Sequence, residues 1–478
     1  MTRPPSRQTG EATSEELLAG AAHRDGRNDL AWALGAPEGN ESIRTLGFVL
    51  RKAMRRCAEA VTFDRGSFER ALAEVPPGAL PVLAPSHRSY FDFLLLSYLC
   101  FQHPELGLAV PHIAAAEEFG RIPVVGRILQ RAQAFYLRRG TGQRSPELDA
   151  QLQRIASAGG SLMFFIEGQR SRSRHTLAPK RGLLRGLQST GRSFVVLPVG
   201  LSYERLPEER SFERELTGGR RSRMYLAAIV RWARRLSRGE EQMGRIHITC
   251  GAPLPLTSGT DVPTLSQHIV AELQRRTAVT RMHLRSFVAE TRLPGVDEDW
   301  LAAALTRRGA TVLDAGLPTP VDPSPVLRQT LRNQWMPWLY PAARALHGGN
   351  LAVLDHIRQR GWFTAVEPED EAPDARLARV VEALFAPVIA DYVRVARSLG
   401  EPGSPLVSAG PVALVRAQPD AHLPHLEDAF RSLVAHGILV ETSPGEHAWG
   451  PDAAKLATWR AGCGDLPHPL PDAAGRGV

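Results

Sequence analysis

Lysine is nearly missing from this sequence. Lys52, Lys180 and Lys455 are the only three, so almost all of the positive charge is arginine. The chain is basic all the same, with 58 Lys and Arg against 50 Asp and Glu, a formal charge of +8 and a pI near 9.7. An excess carried by guanidinium groups points to anionic partners: phosphates, anionic lipid or nucleic acid. Cysteine is scarce too. Cys57, Cys100, Cys250 and Cys463 lie far apart with no Cys-x-x-Cys spacing, which argues against a disulfide framework or a zinc site and suits a reducing, cytosolic setting. Long apolar runs are absent: Phe93–Phe101 and Phe194–Leu201 are no more than half the roughly 18–20 residues that cross a bilayer. Residues 1–40, rich in Gly, Glu, Arg and Ser, have no signal-peptide core and read as disordered.

What is present is globular. An apolar share of 43% is enough for a sizeable core, and 478 residues suit two or three domains. After residue 40, Ile43, Leu46, Val49, Leu50 and Met54 recur at helical spacing with Arg44, Arg51, Lys52, Arg55 and Arg56 between them. Residues 41–74 are therefore expected to be an amphipathic helical lead-in, packed on the next domain or lying on anionic lipid. Residues 75–275 alternate short apolar runs with amphipathic segments, the pattern of an α/β domain with a central mixed sheet flanked by helices. The expected strands are Leu80–Ala84, Leu108–Ile113, Ala134–Leu137, Ser161–Ile166, Phe194–Leu201 and Arg245–Cys250. Beyond them come a helical region (276–366), an acidic proline-containing linker (367–374), and a mainly α-helical C-terminal region (375–478) with a small α/β end unit. The aromatic cluster Asn333–Tyr340 reads as core or as a lipid-facing patch.

Ala84-Pro-Ser-His-Arg-Ser-Tyr-Phe-Asp92 joins the first of those strands to an apolar helix. A base that must deprotonate a hydroxyl near neutral pH is best served by a histidine oriented by a carboxylate, and His87 with Asp92 supplies that pair. With Ser89 as helix cap, Asp92 falls at the third helical position and faces back toward the strand end. The spacing alone is weak, because His447 and Asp452 repeat it inside a turn. The company downstream is stronger. Arg138 and Arg139 follow Ala134–Leu137, Glu167-Gly168-Gln169-Arg170 follows the strand ending at Ile166, and Pro198 lies in Phe194–Leu201. In such sheets functional groups collect where strands exit. The arginines from Arg170 to Arg185 have little aromatic interleaving, which argues against nucleic acid as the partner.

In this order the pieces resemble the glycerol-3-phosphate and dihydroxyacetone-phosphate acyltransferase family. Pro85–Phe93 resembles the family's catalytic block, Gln133–Arg139 the block whose first arginine meets the substrate phosphate, Phe165–Arg172 with Pro179–Leu184 the acceptor-binding block, and Leu197–Glu204 the block with its proline. The departures are modest: Gln133 stands where glycine is common, Tyr136 replaces phenylalanine, and Gln169 replaces glycine or threonine. The loop Ser173–Lys180 looks more like the dihydroxyacetone-phosphate branch.

The resemblance implies the glycerolipid acyltransferase fold, His87 as base with Asp92 as its partner, and Arg138, Glu167, Gly168, Arg170, Lys180 and Pro198 as substrate-binding residues. It implies transfer of a fatty acyl group from acyl-CoA or acyl carrier protein to glycerol 3-phosphate or dihydroxyacetone phosphate, with no cofactor and no metal. Backbone N–H groups after Gly168 are candidates for stabilising the oxyanion. With no spanning segment and a basic surface, the expected location is the cytoplasmic face of a membrane, held peripherally to anionic lipid. A different class, a catalytically silent basic adaptor, would need charge but no His87–Asp92 pair.

Overall fold

The computed structural model describes residues 11–12, 40–122, 125–131, 133–137, 146–219, 230–231, 234–235, 238–240, 242–313, 328, 330, 332–346, 373–404, 410–418, 421–443, 446–457 and 460. Its centre is a mixed sheet of nine strands: β1 (Glu11–Ala12), β2 (Ala58–Asp64), β3 (Leu80–Pro85), β4 (His112–Ala116), β5 (Ala134–Leu137), β6 (Leu162–Met163), β7 (Phe194–Tyr203), β8 (Gly244–Cys250) and β9 (Leu254–Leu256). They run in the order β1-β2-β8-β7-β3-β6-β4-β5, with β9 against the first residues of β7. Strands β7, β3, β6, β4 and β5 are mutually parallel, so their carboxyl ends share one edge; β8 runs antiparallel to β7.

Side-chain alternation gives the sheet two covered faces. Val82 and Ala84 of β3 join Val196 and Leu184 in one apolar layer, while Leu83 joins Leu197, Leu95, Leu96 and Leu99 in the other. Each such leucine, fully buried, contributes on the order of 1.5–3 kcal/mol. Several helices supply those layers, among them α1 (Asn40–Cys57) and α2 (Asp92–Gln102). Helix α2 has almost no polar face, and Leu95, Leu96, Tyr98, Leu99 and Cys100 are all buried.

Three expectations change here. The lead-in is not wholly helical, because Ala58–Asp64 forms β2 and pairs in parallel with β8, with Val61 and Phe63 buried. The sheet thus begins before residue 75. Strand β4 starts at His112 rather than Leu108, in keeping with Pro111, which has no N–H to give a ladder. Within residues 1–40, Glu11–Ala12 pairs with β2; most of that segment lies outside the described residues, as does the acidic linker before Pro373.

A second unit is built on one apolar cluster running from Val279 to Leu456. It includes the parallel pair β10 (Ala278–Thr280) and β11 (Thr311–Leu313), the hairpin β12 (Leu439–Ser443) and β13 (Glu446–Trp449), and a long helix, α3 (Ala375–Ser398), capped by Asp374. Trp335 and Trp338 are buried at its heart, so the aromatic cluster is core and not a lipid-facing patch. The cluster spans both sides of residues 367–374. Asn333 Nδ2 donates to Ser173 O at 2.7 Å, and Ala278 N to Ser202 Oγ at 2.7 Å, which ties the second unit to the sheet.

Buried histidines mark both units. His425 Nδ1 lies 3.0 Å from Asp391 Oδ2, and the His422 ring packs on His425 at 4.4 Å. Burial lowers the pKa values of His175 and His422 well below 6.5, that of His247 to about 4, and that of His283 to about 3. Unfolding lets each bind a proton once the pH falls below about 6.5, so stability is present above that pH and is lost progressively below it. Two buried glutamates with raised pKa values, Glu204 and Glu208, act in the opposite sense but are outnumbered. Thermal unfolding should therefore show Tm falling from pH 6.5 to pH 5. A Tm that is flat or rises over that range would contradict this assignment of neutral buried histidines.

Candidate active site

The carboxyl ends of β3, β6 and β7 converge on one turn, Ser86–Asp92. Asp92 is fully buried, and its Oδ2 accepts from Arg88 N at 2.7 Å and Ser89 N at 2.8 Å, and meets His87 Nδ1 at 2.9 Å. Its other oxygen, Oδ1, accepts from Tyr203 Oη at 2.7 Å. A carboxylate taken out of water needs such donors, and here the backbone of the turn supplies two of them. Asp92 thus makes one half of the expected capping box, reaching back to Ser89 N. The other half is replaced: helix α2 starts only at Asp92, and the Ser89 hydroxyl donates to Glu208 Oε2 at 3.0 Å.

His87 is held on every side but one. Its ring stacks on Phe165 at a centroid distance of 3.8 Å, its N–H donates to Glu167 Oε1 at 2.8 Å, and its carbonyl accepts from Ser171 N at 2.7 Å. With Nδ1 committed to Asp92, Nε2 is the ring nitrogen left for a substrate. Burial lowers the pKa of His87 from 6.5, and the hydrogen bond and charge of Asp92 pull it back only in part. The ring is therefore neutral near pH 7, as a general base must be.

Glu167 faces inward. Besides His87 N, it receives Arg88 Nη1 at 3.1 and 3.2 Å and Leu177 N at 2.9 Å, with both oxygens engaged and the side chain buried. It braces the turn that carries His87, with both carboxylate oxygens held by protein donors. Gly168 follows with φ +68, a conformation that favours glycine, and a Cβ there would come within 2.9 Å of Lys180 Cγ. Lys180 is exposed beside it, its N–H bonded to Ile166 O. Because Ser171 N is spent on His87, it is removed from the candidate oxyanion donors after Gly168.

Arg170 stacks over Tyr90 at 3.5 Å and Phe212 at 4.8 Å. Glu208 Oε1 lies 3.5 Å from Arg170 Nη1 while accepting from Tyr90 N at 2.8 Å. The guanidinium is thus fixed against the same turn that carries the base. Arg138 lies outside the described residues.

Pro198 is elsewhere, buried in the middle of β7 and paired with Ala84. Leu80 N bonds Ser193 O and Ser86 N bonds Val199 O, so odd-numbered residues of β7 face β3 and position 198 faces the opposite neighbour. There the partner changes from β9, at Phe194–Val196, to β8, at Val199–Tyr203. A proline, with no N–H to place, fits that changeover, and Pro198 O still accepts from Gly251 N at 2.7 Å. Its backbone thus serves the strand, next to the residue whose carbonyl accepts from Ser86 N.

Reading the sequence missed Tyr203, Arg88, Glu208 and Phe165 as members of the site. Tyr203 had one signal: with Val199 and Leu201 it continues the period-2 face of β7 to the end of the strand.

Residues 69–202 match the family model described as Acyltransferase. That stretch contains His87, Asp92, Glu167 and Arg170. The likeness to acyltransferases therefore lies in the part of the chain that holds the turn. Over 196 residues it is 35% identical to a glycerol-3-phosphate acyltransferase of Xanthomonas axonopodis pv. citri, covering 39% of this chain and 21% of the relative. Over 259 residues it is 32% identical to a glycerol-3-phosphate acyltransferase of Pseudomonas aeruginosa, covering 52% of this chain and 29% of the relative. The matched acyltransferase segment is thus under a third of the length of these curated relatives. A solved 1-acyl-sn-glycerophosphate acyltransferase from Thermotoga maritima is 19% identical, at a TM-score of 0.30 over 48% of this chain and 74% of that one, too distant a likeness to argue from.

Two outcomes are expected if this site performs acyl transfer. His87→Ala should lower acyl transfer by about 10²–10⁴-fold while the protein still folds, with some loss of Tm from the lost ring packing; kinetics within about threefold of the parent would remove His87 from the chemistry. The acid limb of kcat/KM should have its midpoint below 6.5, because the base works only when neutral and burial lowers its pKa. A midpoint above 7 would mean that the Asp92 charge outweighs burial.

Proposed function

We propose that this protein is an O-acyltransferase that moves a fatty acyl group from a thioester carrier, acyl-CoA or acyl carrier protein, to the primary hydroxyl of glycerol 3-phosphate, giving a lysophosphatidic acid. The observation that carries this reading is the buried His87–Asp92 pair, with Nε2 left for a hydroxyl and Arg170 anchored to the same turn. The acceptor oxygen attacks the thioester carbonyl as His87 Nε2 takes its proton. The tetrahedral oxyanion then collapses, the carbon–sulfur bond breaks, and the leaving thiolate recovers the proton from His87. The transfer balances without a redox change. Arg170 reads the acceptor phosphate, its plane set by Tyr90 and Phe212 so that the fork is pre-organised. A basic adaptor would have no use for a braced His–Asp pair.

The test offers glycerol 3-phosphate, dihydroxyacetone phosphate and plain glycerol, each with both donors. Glycerol 3-phosphate should be the best acceptor and glycerol very poor. Arg170→Lys should raise the KM for the phosphorylated acceptor about ten- to a hundredfold, the cost of a charge-assisted contact of about 1.5–3 kcal/mol. It should barely change turnover of glycerol. Equal losses on both acceptors would make Arg170 structural, and faster turnover of dihydroxyacetone phosphate would move the assignment to that acceptor.

The same reading puts the protein on the face of an anionic membrane. No helix among the described residues is long and apolar enough to cross one. Helix α1 instead buries Leu50, Ala53, Met54 and Cys57 against the sheet and turns Phe48 and Val49 outward, at 58% and 57% exposure, next to Arg51, Lys52, Arg55 and Arg56. A pair of exposed apolar side chains in a basic setting suits the surface of anionic lipid. Sedimentation with vesicles should require anionic lipid and weaken with salt, and replacing Phe48 and Val49 by serine should reduce it several-fold. Binding that ignores both salt and these substitutions would place the contact elsewhere.

A further inference from the structure

We propose that Tyr203 is a positioning residue for the base, setting through Asp92 how strongly His87 holds a proton; this rests on the acyl-transfer reading above. The argument begins with the distribution of donors on Asp92. Oδ2 carries His87 and two backbone N–H groups, all from the turn itself, whereas Oδ1 has one neighbour brought from another strand, the Tyr203 hydroxyl at 2.7 Å. The turn alone therefore fixes only half of the carboxylate. Tyr203 closes the other half and ties the turn to the end of β7, a strand otherwise registered by its pairing with β3 and β8.

Chemistry fixes the sign of the effect. A phenol O–H bonded to one carboxylate oxygen draws electron density from the other, so Asp92 stabilises the His87 imidazolium less than an unbonded carboxylate would. Tyr203 also holds the carboxylate plane in line with Nδ1. Burial first, then the Asp92 charge, keeps the phenol pKa well above 10, so it stays a donor throughout the working pH range. Tyr203 thus keeps the base neutral and aligned.

Tyr203→Phe keeps the ring and removes only the donor. The expected result is an acid limb of kcat/KM moved up by about half a unit to one unit, with kcat lowered about tenfold and the acceptor KM within about threefold. A ring-fluorinated tyrosine at position 203, a stronger donor that keeps the hydroxyl, should move the limb the other way. The same shifts are read without turnover from the His87 ring by NMR titration, the signal being identified by its loss in His87→Gln. That readout separates two failures: a parent that transfers no acyl group overturns the acyl-transfer reading, while the titration still decides the role of Tyr203. A His87 titration unmoved by Tyr203→Phe, or moved in one direction by both replacements, would overturn the proposal.

Discussion

A carboxylate without water lies at the middle of this structure. Asp92 is fully buried, and a charge so placed is tolerable only if donors surround it. The donors come from the turn after β3 and from the end of β7, so both elements must be in place before the carboxylate is satisfied. Orientation of His87 is a by-product of that requirement. The electrostatics that let Asp92 be buried also fix the tautomer of the histidine, with Nδ1 turned inward and Nε2 left over.

A second buried charge completes the corner. Glu167, at the exit of β6, takes His87 N, Leu177 N and two contacts from Arg88 Nη1. The residue before the base and the residue after it are thus tied to different strands, Ser86 to β7 and Arg88 to the β6 exit. Removing one member of such a pair leaves a buried uncompensated charge, which costs far more than the pair contributes. The corner is therefore rigid before any substrate arrives, as a base that must meet a hydroxyl within hydrogen-bond reach requires.

Much of this was legible in the sequence, and the reasons differ by residue. Short, nearly continuous apolar runs announced β3, β5, β7 and β8, because both faces of a covered sheet must be apolar. His87 and Asp92 could be paired because their spacing bends back across a helix start. Strand β2 was hidden, since Ala58–Asp64 mixes polar and apolar residues and is flanked by helical sequence. The bracing part played by Glu167 was not legible, because its partners His87 N and Leu177 N are backbone groups that only the fold brings to it. Tyr203 and Glu208 stand 116 and 121 residues beyond His87, and no local pattern connects them to it. Trp335 and Trp338 carried an ambiguous signal that the second unit's core resolves.

The central claim is that His87 Nε2 meets the acceptor hydroxyl while Arg170 meets its phosphate. A crystal structure of the protein with glycerol 3-phosphate tests it directly. The account predicts the primary hydroxyl oxygen within about 3.2 Å of Nε2 and a phosphate oxygen within hydrogen-bond reach of the Arg170 guanidinium. Glycerol 3-phosphate bound with its hydroxyl turned away from His87, or with its phosphate held by other residues and Arg170 still facing Glu208, would contradict it.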